Sequence, residues 1–324
     1  SMTKTLKTLA FLAAFALAAS CNRPPEKKVI ALITKAMDSE FWLTLADGAK
    51  SAAAQHPDYE LVIQSPDREI NVDQQVAILE NQIRRGVKVL LVDPAGTAQV
   101  NSTLEQAVGR GIPVVLIDTD APFAKKSAYI GTDNAKGGAL AAKGMVEAIG
   151  TSGEVALISG VPGNESQDAR AKGFLDEIAK TPGIKVVAQQ PGNSERQLGL
   201  TVMENLLTAH PNLRGVFATN DQMALGAMEA VEARKLRGKI AIIGFDATKE
   251  AAAAIVEGKL TGSVAQSPRE MGRRGVLAAI EHPAGEGVDP PAVSSRVDEL
   301  SGPLAVALQR GLDLGERDGK LGVE

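Results

Sequence analysis

Residues 87–118 read VKVLLVDPAGTAQVNSTLEQAVGRGIPVVLID. Two short apolar runs, 87–93 and 113–118, end in Asp93 and Asp118, with a helical stretch between them. Unbroken Val/Leu/Ile runs of this length read as strands buried on both faces, and strands alternating with helices build parallel sheets. The punctuation recurs along the chain. VIALIT (29–34) runs into Lys35, GVFAT (215–219) into Asn220 and Asp221, AIIGF (241–245) into Asp246, and TGSVA (261–265) into Gln266. In open α/β sheets, ligands bind beyond the carboxyl ends of the strands. So many hydrogen-bonding groups at that one edge imply a site for a small polyhydroxylated molecule.

The full set of expected strands is 29–34, 60–65, 87–93, 113–118, 128–132, 154–159, 185–190, 215–219, 239–245 and 260–266. Amphipathic segments lie between them. In 71–85, Val76, Leu79 and Ile83 fall on one face and Gly86 supplies the stop. In 194–209, Ser194 and Gln197 have capping-box spacing, and His210-Pro211 closes the helix. The alternation occurs once before residue 131 and again from 153 to 266, which predicts two similar α/β lobes. Pro268 suits the start of a helix running to Glu281. That helix and a strand-like stretch at 292–298 are expected to carry the chain back between the lobes. Repeated crossings make a hinge and leave a cleft.

At 324 residues and 44% hydrophobic content the chain can bury two ordinary cores, and 23% charged residues place it among soluble globular proteins. Net charge is −4, and removing residues 1–20 takes away Lys4 and Lys7, giving −6. No basic patch argues for nucleic acid, and Arg84-Arg85 and Arg273-Arg274 read as solvated helix faces.

Residues 1–21 read as a leader. Lys4 and Lys7 precede an apolar stretch from Leu9 to Ala19, then small residues stand before Cys21. That is the layout of a secretion signal, and its apolar part is shorter than the ~20 residues of a spanning helix. Cys21 is the chain's one cysteine, so no internal disulfide can form. Its place after the cleavage site resembles a bacterial lipobox, although Ala18 stands where leucine is commoner. Residues 22–28, with Pro24-Pro25, read as a tether.

Several residues at the strand-end edge carry candidate chemistry. Trp42, the chain's one tryptophan, follows Phe41, and flat rings there would stack on the C–H face of a sugar. The plain alternative is a core pair. Asp118, Asp246, Asn220 and Arg170 offer fixed acceptors and forked donors. Each alone could be a cap, and Asp221 reads as one. Lys35 would donate to a ring oxygen or hydroxyl while neutralising carboxylates, or would simply be exposed. Catalytic patterns are missing: His56, His210 and His282 each precede proline at an element end, and no phosphate-loop or nucleophile-elbow spacing occurs. No metal or cofactor is expected.

These residues sit in longer stretches that together resemble the periplasmic sugar-binding proteins of ABC importers, the ribose- and allose-binding group. The stretches are IALITKAMDSEFW, LADGAK, RRGVKVLLVDP, PVVLID, YIGTDN, ARAKGF, VMENLLTAHPNLRGVFATNDQMALGA, GFDATKE, GKLTGSVAQSP and MGRRGV. The resemblance implies a type I periplasmic binding protein: two Rossmann-like lobes with parallel sheets, joined by a three-segment hinge. On that basis the N-terminal lobe is 29–131 plus 267–292 and the C-terminal lobe 132–266 plus 293–300. Residues 301–324 form a tail without an assigned role. The implied pocket is Lys35, Ser39, Phe41, Trp42, Asp93, Asp118, Arg170, Asn220, Phe245, Asp246 and Gln266. The implied partners are a sugar and an ABC transporter permease, the implied state a monomer, with membrane contact only through a lipid on Cys21. Lys35 and Thr119 depart from the ribose pattern. The lysine and the Phe41-Trp42 pair look more like allose binders, and the lysine is also seen in arabinose binders. A second-lobe aromatic near Ser194 is missing, which keeps a larger polyol such as an inositol open. The alternative role is feeding a membrane sensor kinase. A repressor would need an N-terminal helix-turn-helix where this chain has a leader.

Overall fold

The computed structural model describes residues 27–281. Cys21, the leader, most of the tether, the stretch 292–298 and the tail 301–324 lie outside the described residues. The first half runs β1 (Lys28–Ile33), α1 (Glu40–Ala53), β2 (Tyr59–Gln64), α2 (Val72–Arg84), β3 (Val89–Val92), α3 (Thr97–Gly109), β4 (Val114–Asp118) and β5 (Ala128–Gly131). Helix α4 (Asn134–Ile149) leads into β6 (Gly153–Ser159), α5 (Glu165–Ile178), β7 (Ile184–Pro191), α6 (Arg196–Ala209), β8 (Leu213–Ala218) and α7 (Asp221–Ala233). Then come β9 (Ala241–Asp246), α8 (Lys249–Val256), β10 (Gly262–Ala265) and α9 (Pro268–Glu281).

All pairings are parallel, and the apolar runs form the strands as their composition predicts. The sheets are β2-β1-β3-β4-β5 and β7-β6-β8-β9-β10, one topology used twice. Each sheet is covered on both faces. In the first, α1 and α9 cover one face and α2 and α3 the other. In the second, α4 and α5 oppose α6, α7 and α8. Residues 30–33 and 89–92 are fully buried. Burial of such side chains contributes ~1.5–3 kcal/mol each.

The lobes exchange helices. Helix α4 follows β5 of the first sheet, yet Ala141, Ala142 and Met145 pack with Phe174, Phe217 and Phe245 of the second. Helix α9 follows β10, yet Met271, Val276 and Ala279 join the first lobe's core beside Leu45. Both dockings need glycine. A Cβ on Gly138 would overlap the Arg170 carbonyl oxygen, and one on Gly272 would overlap that of Leu45. The chain therefore crosses at 132–133 and again at 266–267.

Two local readings need correction. Helix α6 starts at Arg196 behind Glu195, without a side-chain cap, so Ser194 and Gln197 do not form a capping box. Asn193 and Ser194 instead take left-handed φ values of 51° and 65°. Asp221 is not a cap either. Asn220 caps α7 by accepting from the Met223 amide, while Asp221 lies fully buried in the first turn. Its carboxylate accepts from Ser263 Oγ at 2.6 Å and from the Thr248 amide at 2.8 Å, tying α7 to β10 and α8.

Candidate functional site

Register delivers the strand-end residues to one place. Ile33 pairs with Val92, and Val92 with Leu116, so the ends of β1, β3 and β4 stand side by side. Lys35, Asp93 and Asp118 follow from those ends. Gln75 on α2 fixes this edge, donating to the carbonyls of Thr34 and Asp93 and accepting from the Ala95 amide. The Lys35 ammonium donates to Asp118 Oδ2 at 3.1 Å, Thr119 Oγ1 at 2.7 Å and Ser166 Oγ at 3.3 Å. Asp93 Oδ1 is 3.5 Å away. Burial alone would push the Lys35 proton off, but Asp93, Asp118 and Glu69 outweigh it and hold the amine charged well above the ordinary lysine range. Asp93 has its carboxyl pushed up by burial, against the pull of Lys35.

The second lobe repeats the device. Arg170 on α5 donates from Nε to Asn134 Oδ1 at 2.8 Å and from Nη1 to the Thr219 carbonyl at 3.0 Å. Its guanidinium lies 3.9 Å from the Phe245 ring centroid and 3.7 Å from Asp246 Oδ1. Stacking fixes the fork. Asp246 accepts from Gln266 Nε2 at 2.7 Å. Burial, opposed by Arg170 and reinforced by Asp221, pushes the Asp246 carboxyl up to about 8. Asp118 and Asp246 end the fourth strand of their sheets, and both have positive φ, 59° and 120°. Such strain costs of order 1–3 kcal/mol and collects where side-chain direction matters.

Between these edges lies a narrow, mostly polar cavity with free space for little more than one water molecule. It is lined by Lys35, Ser39, Phe41, Trp42, Asp118, Arg170, Asn220, Asp246 and Gln266, nine of the eleven expected pocket residues. Phe41 and Trp42 meet edge to face at 4.8 Å, and the Lys35 ammonium is 5.3 Å from the Trp42 ring centroid. Asp93 and Phe245 do not line the cavity. They lie behind Lys35 and Arg170 and hold those cations in place. Asp38, Glu69, Gln167, Ser194 and Gln222 also line it, and the strand-end pattern did not single them out. Gln167 Oε1 accepts from Thr219 Oγ1 at 2.6 Å. Asp118 Oδ1 and Glu69 Oε2 are buried without a hydrogen-bond partner among the described residues.

The lobes touch around the cavity. Asn164 Nδ2 donates to the carbonyls of Pro94 and Ala95, Thr97 to that of Gly163, and Arg68 pairs with Glu195 at 3.2 Å. The Lys249 amide donates to Glu40 Oε2 at 2.9 Å. Bonds of this kind hold the two lobes against each other around the cavity.

Two repeated lobes, exchanged helices and a polar cavity between facing strand edges define a two-lobed solute-binding protein. The family comparison agrees: residues 30–287 match the periplasmic binding protein domain, and the chain belongs to that family. The ribose import binding protein RbsB of Bacillus subtilis is 34% identical over 290 residues, 86% of this chain and 92% of the relative. The D-ribose/D-allose-binding protein of Pseudomonas aeruginosa is 32% identical over 269 residues, 81% and 84% of the two chains. Among solved structures, an ABC transporter periplasmic solute binding protein from Actinobacillus succinogenes with bound D-allose superposes with a TM-score of 0.73. It is 35% identical and covers 82% of this chain and 96% of its own. A Bacillus halodurans solute binding protein with bound myo-inositol gives a TM-score of 0.75 at 28% identity, covering 85% and 99%. These relatives are binding proteins rather than enzymes, and so is this chain.

Proposed function

We propose that this protein is an extracytoplasmic sugar-binding component of an ABC importer, which captures one monosaccharide or related polyol by closing two lobes over it. The carrying observation is the cavity itself: a T-shaped aromatic pair, two oriented cations and fixed acceptors converge on it from both lobes. Lys35, Ser39, Phe41, Trp42 and Asp118 act from the first lobe, and Arg170, Asn220 and Asp246 from the second, with Gln266 at the crossing. Asp93 and Phe245 act through Lys35 and Arg170. A guest bridging both lobes stabilises the closed arrangement by contacts that the open one lacks, and only such differential contacts shift the equilibrium. An epimer leaving one buried polar group unpaired is rejected by ~10⁴-fold or more.

The closed, loaded form then docks on the permease and releases its cargo. The leader at 1–21 directs export, and a lipid on Cys21 with the tether 22–28 keeps the monomer at the membrane. No helix among the described residues is long and apolar enough to cross a membrane. The test is calorimetry over aldopentoses, aldohexoses and inositols. One stoichiometric binder is expected, and its affinity falls when Asp118 or Arg170 is replaced by alanine. Unchanged affinity in both variants would defeat the assignment of the pocket.

A further inference from the structure

Glu69 stands out because no cation among the described residues forms an ion pair with it. It sits in the loop after β2, is 8% exposed, lines the cavity, and leaves Oε2 without a hydrogen-bond partner among the described residues. Lys35 is the nearest candidate cation by its electrostatic influence, but an ammonium has three protons. Those three are taken by Asp118, Thr119 and Ser166. Arg170 is committed to Asn134, Thr219 and the Asp246 side. No ion pair reaches Glu69 or Asp38 among the described residues.

The charge balance points the same way. The cavity wall carries Asp38 at its exposed rim, Glu69, Asp118 and Asp246, with Asp93 directly behind, against Lys35 and Arg170 alone. Burial pushes Asp93 and Asp246 toward their neutral forms, so Asp38, Glu69 and Asp118 face Lys35 and Arg170, an excess of one negative charge. Like charges Asp38 and Asp118 add to burial in pushing the Glu69 carboxyl upward, while Lys35 and the close Ser194 hydroxyl oppose them. A buried, unpaired carboxylate is costly unless a donor or a cation arrives. No group of three or more metal-binding side chains capable of holding a metal ion occurs among the described residues, so the compensating charge is not assigned to an ion.

We infer that the guest carries a protonated amine, an amino sugar or amino polyol, and that its ammonium seats against Glu69 with Asp38 and Ser194 beside it. The inference rests on the proposed sugar-binding role and narrows it. Hydroxyls of the same guest are left for Asp118, Arg170, Asn220 and Asp246, and its apolar face for Phe41 and Trp42. The charge-assisted contact to Glu69 is stronger than a neutral one.

Calorimetry at pH 7.5 tests this with three matched pairs: D-glucosamine and D-glucose, D-galactosamine and D-galactose, D-mannosamine and D-mannose. D-ribose, D-allose and myo-inositol are titrated alongside. The expected result is that one amino sugar binds at least tenfold more tightly than its parent, and that Glu69→Gln collapses this ratio to within threefold. Thermal unfolding of Glu69→Gln checks its fold, which loss of an unpaired buried charge should not weaken. Neutral sugars binding while every amine binds more weakly overturns the inference and leaves the sugar-binding role intact. A preference for the amine that survives Glu69→Gln overturns the seat at Glu69. No binding by any probe, charged or neutral, overturns both.

Discussion

Replacing Lys35 with methionine keeps the reach of the side chain and removes its charge. The ammonium lies 3.1 Å from Asp118 and 3.5 Å from Asp93, and all three side chains are at most 2% exposed. At an effective dielectric constant of about 20, unit charges at these separations attract by roughly 5 kcal/mol per pair, part of which desolvation offsets. Removing one member of a buried pair costs ~3–5 kcal/mol, because the partner stays charged and dry. We expect Lys35→Met to lose about that much unfolding free energy in urea at pH 7.5. The loss should shrink toward pH 5. Asp93 is pushed above the usual carboxylate range by burial even with Lys35 present. Without the cation it holds its proton still higher, so the folded state binds more protons than the unfolded one, and stability falls as pH rises. A loss below about 1 kcal/mol at pH 7.5, or equal losses at pH 5 and pH 8, refutes the reasoning.

Other expectations follow from separate parts of the molecule. Asp118→Ala and Arg170→Ala should each weaken sugar binding by about 2 kcal/mol, or roughly 30-fold, because each removes a charge-assisted contact; titration calorimetry measures it. Gly272→Ala places a methyl on the Leu45 carbonyl oxygen, so urea unfolding should show a loss of ~1–3 kcal/mol as α9 is forced off α1. Asp246 has a folded-state pKa of about 8, far above the unfolded value near 4. Its contribution therefore favours folding at low pH and fades as pH rises through that window. Asp246→Asn should flatten the fall in stability between pH 5 and pH 8, and an unaltered slope contradicts this.

Much of the fold was legible because buried parallel strands are apolar throughout and stop at a polar residue. The runs into Lys35, Asp93, Asp118 and Asp246 gave both the strands and the edge where the site forms. Orientation was less legible. Asp93 and Phe245 belong to the same edge, yet their side chains turn behind Lys35 and Arg170, a choice made by packing between elements far apart in sequence. Asp38, Glu69 and Ser194 lie three to five residues beyond the ends of β1, β2 and β7, not at the strand ends, so a pattern of polar residues stopping apolar runs passes over them. Ser194 also shows local spacing overruled: the capping pattern with Gln197 yields to a left-handed turn that presents Ser194 to the cleft. Gln75 was invisible for a related reason. A glutamine on the buried face of a helix reads as an interruption until the carbonyls it holds are known.

Trp42 gives the most direct measurement, since it is the chain's one tryptophan and lines the cavity. Its emission should change saturably and with single-site stoichiometry as the bound sugar or amino sugar is added, and the midpoint should match calorimetry. A ligand that binds by calorimetry while Trp42 emission stays constant would be sitting somewhere other than between the lobes.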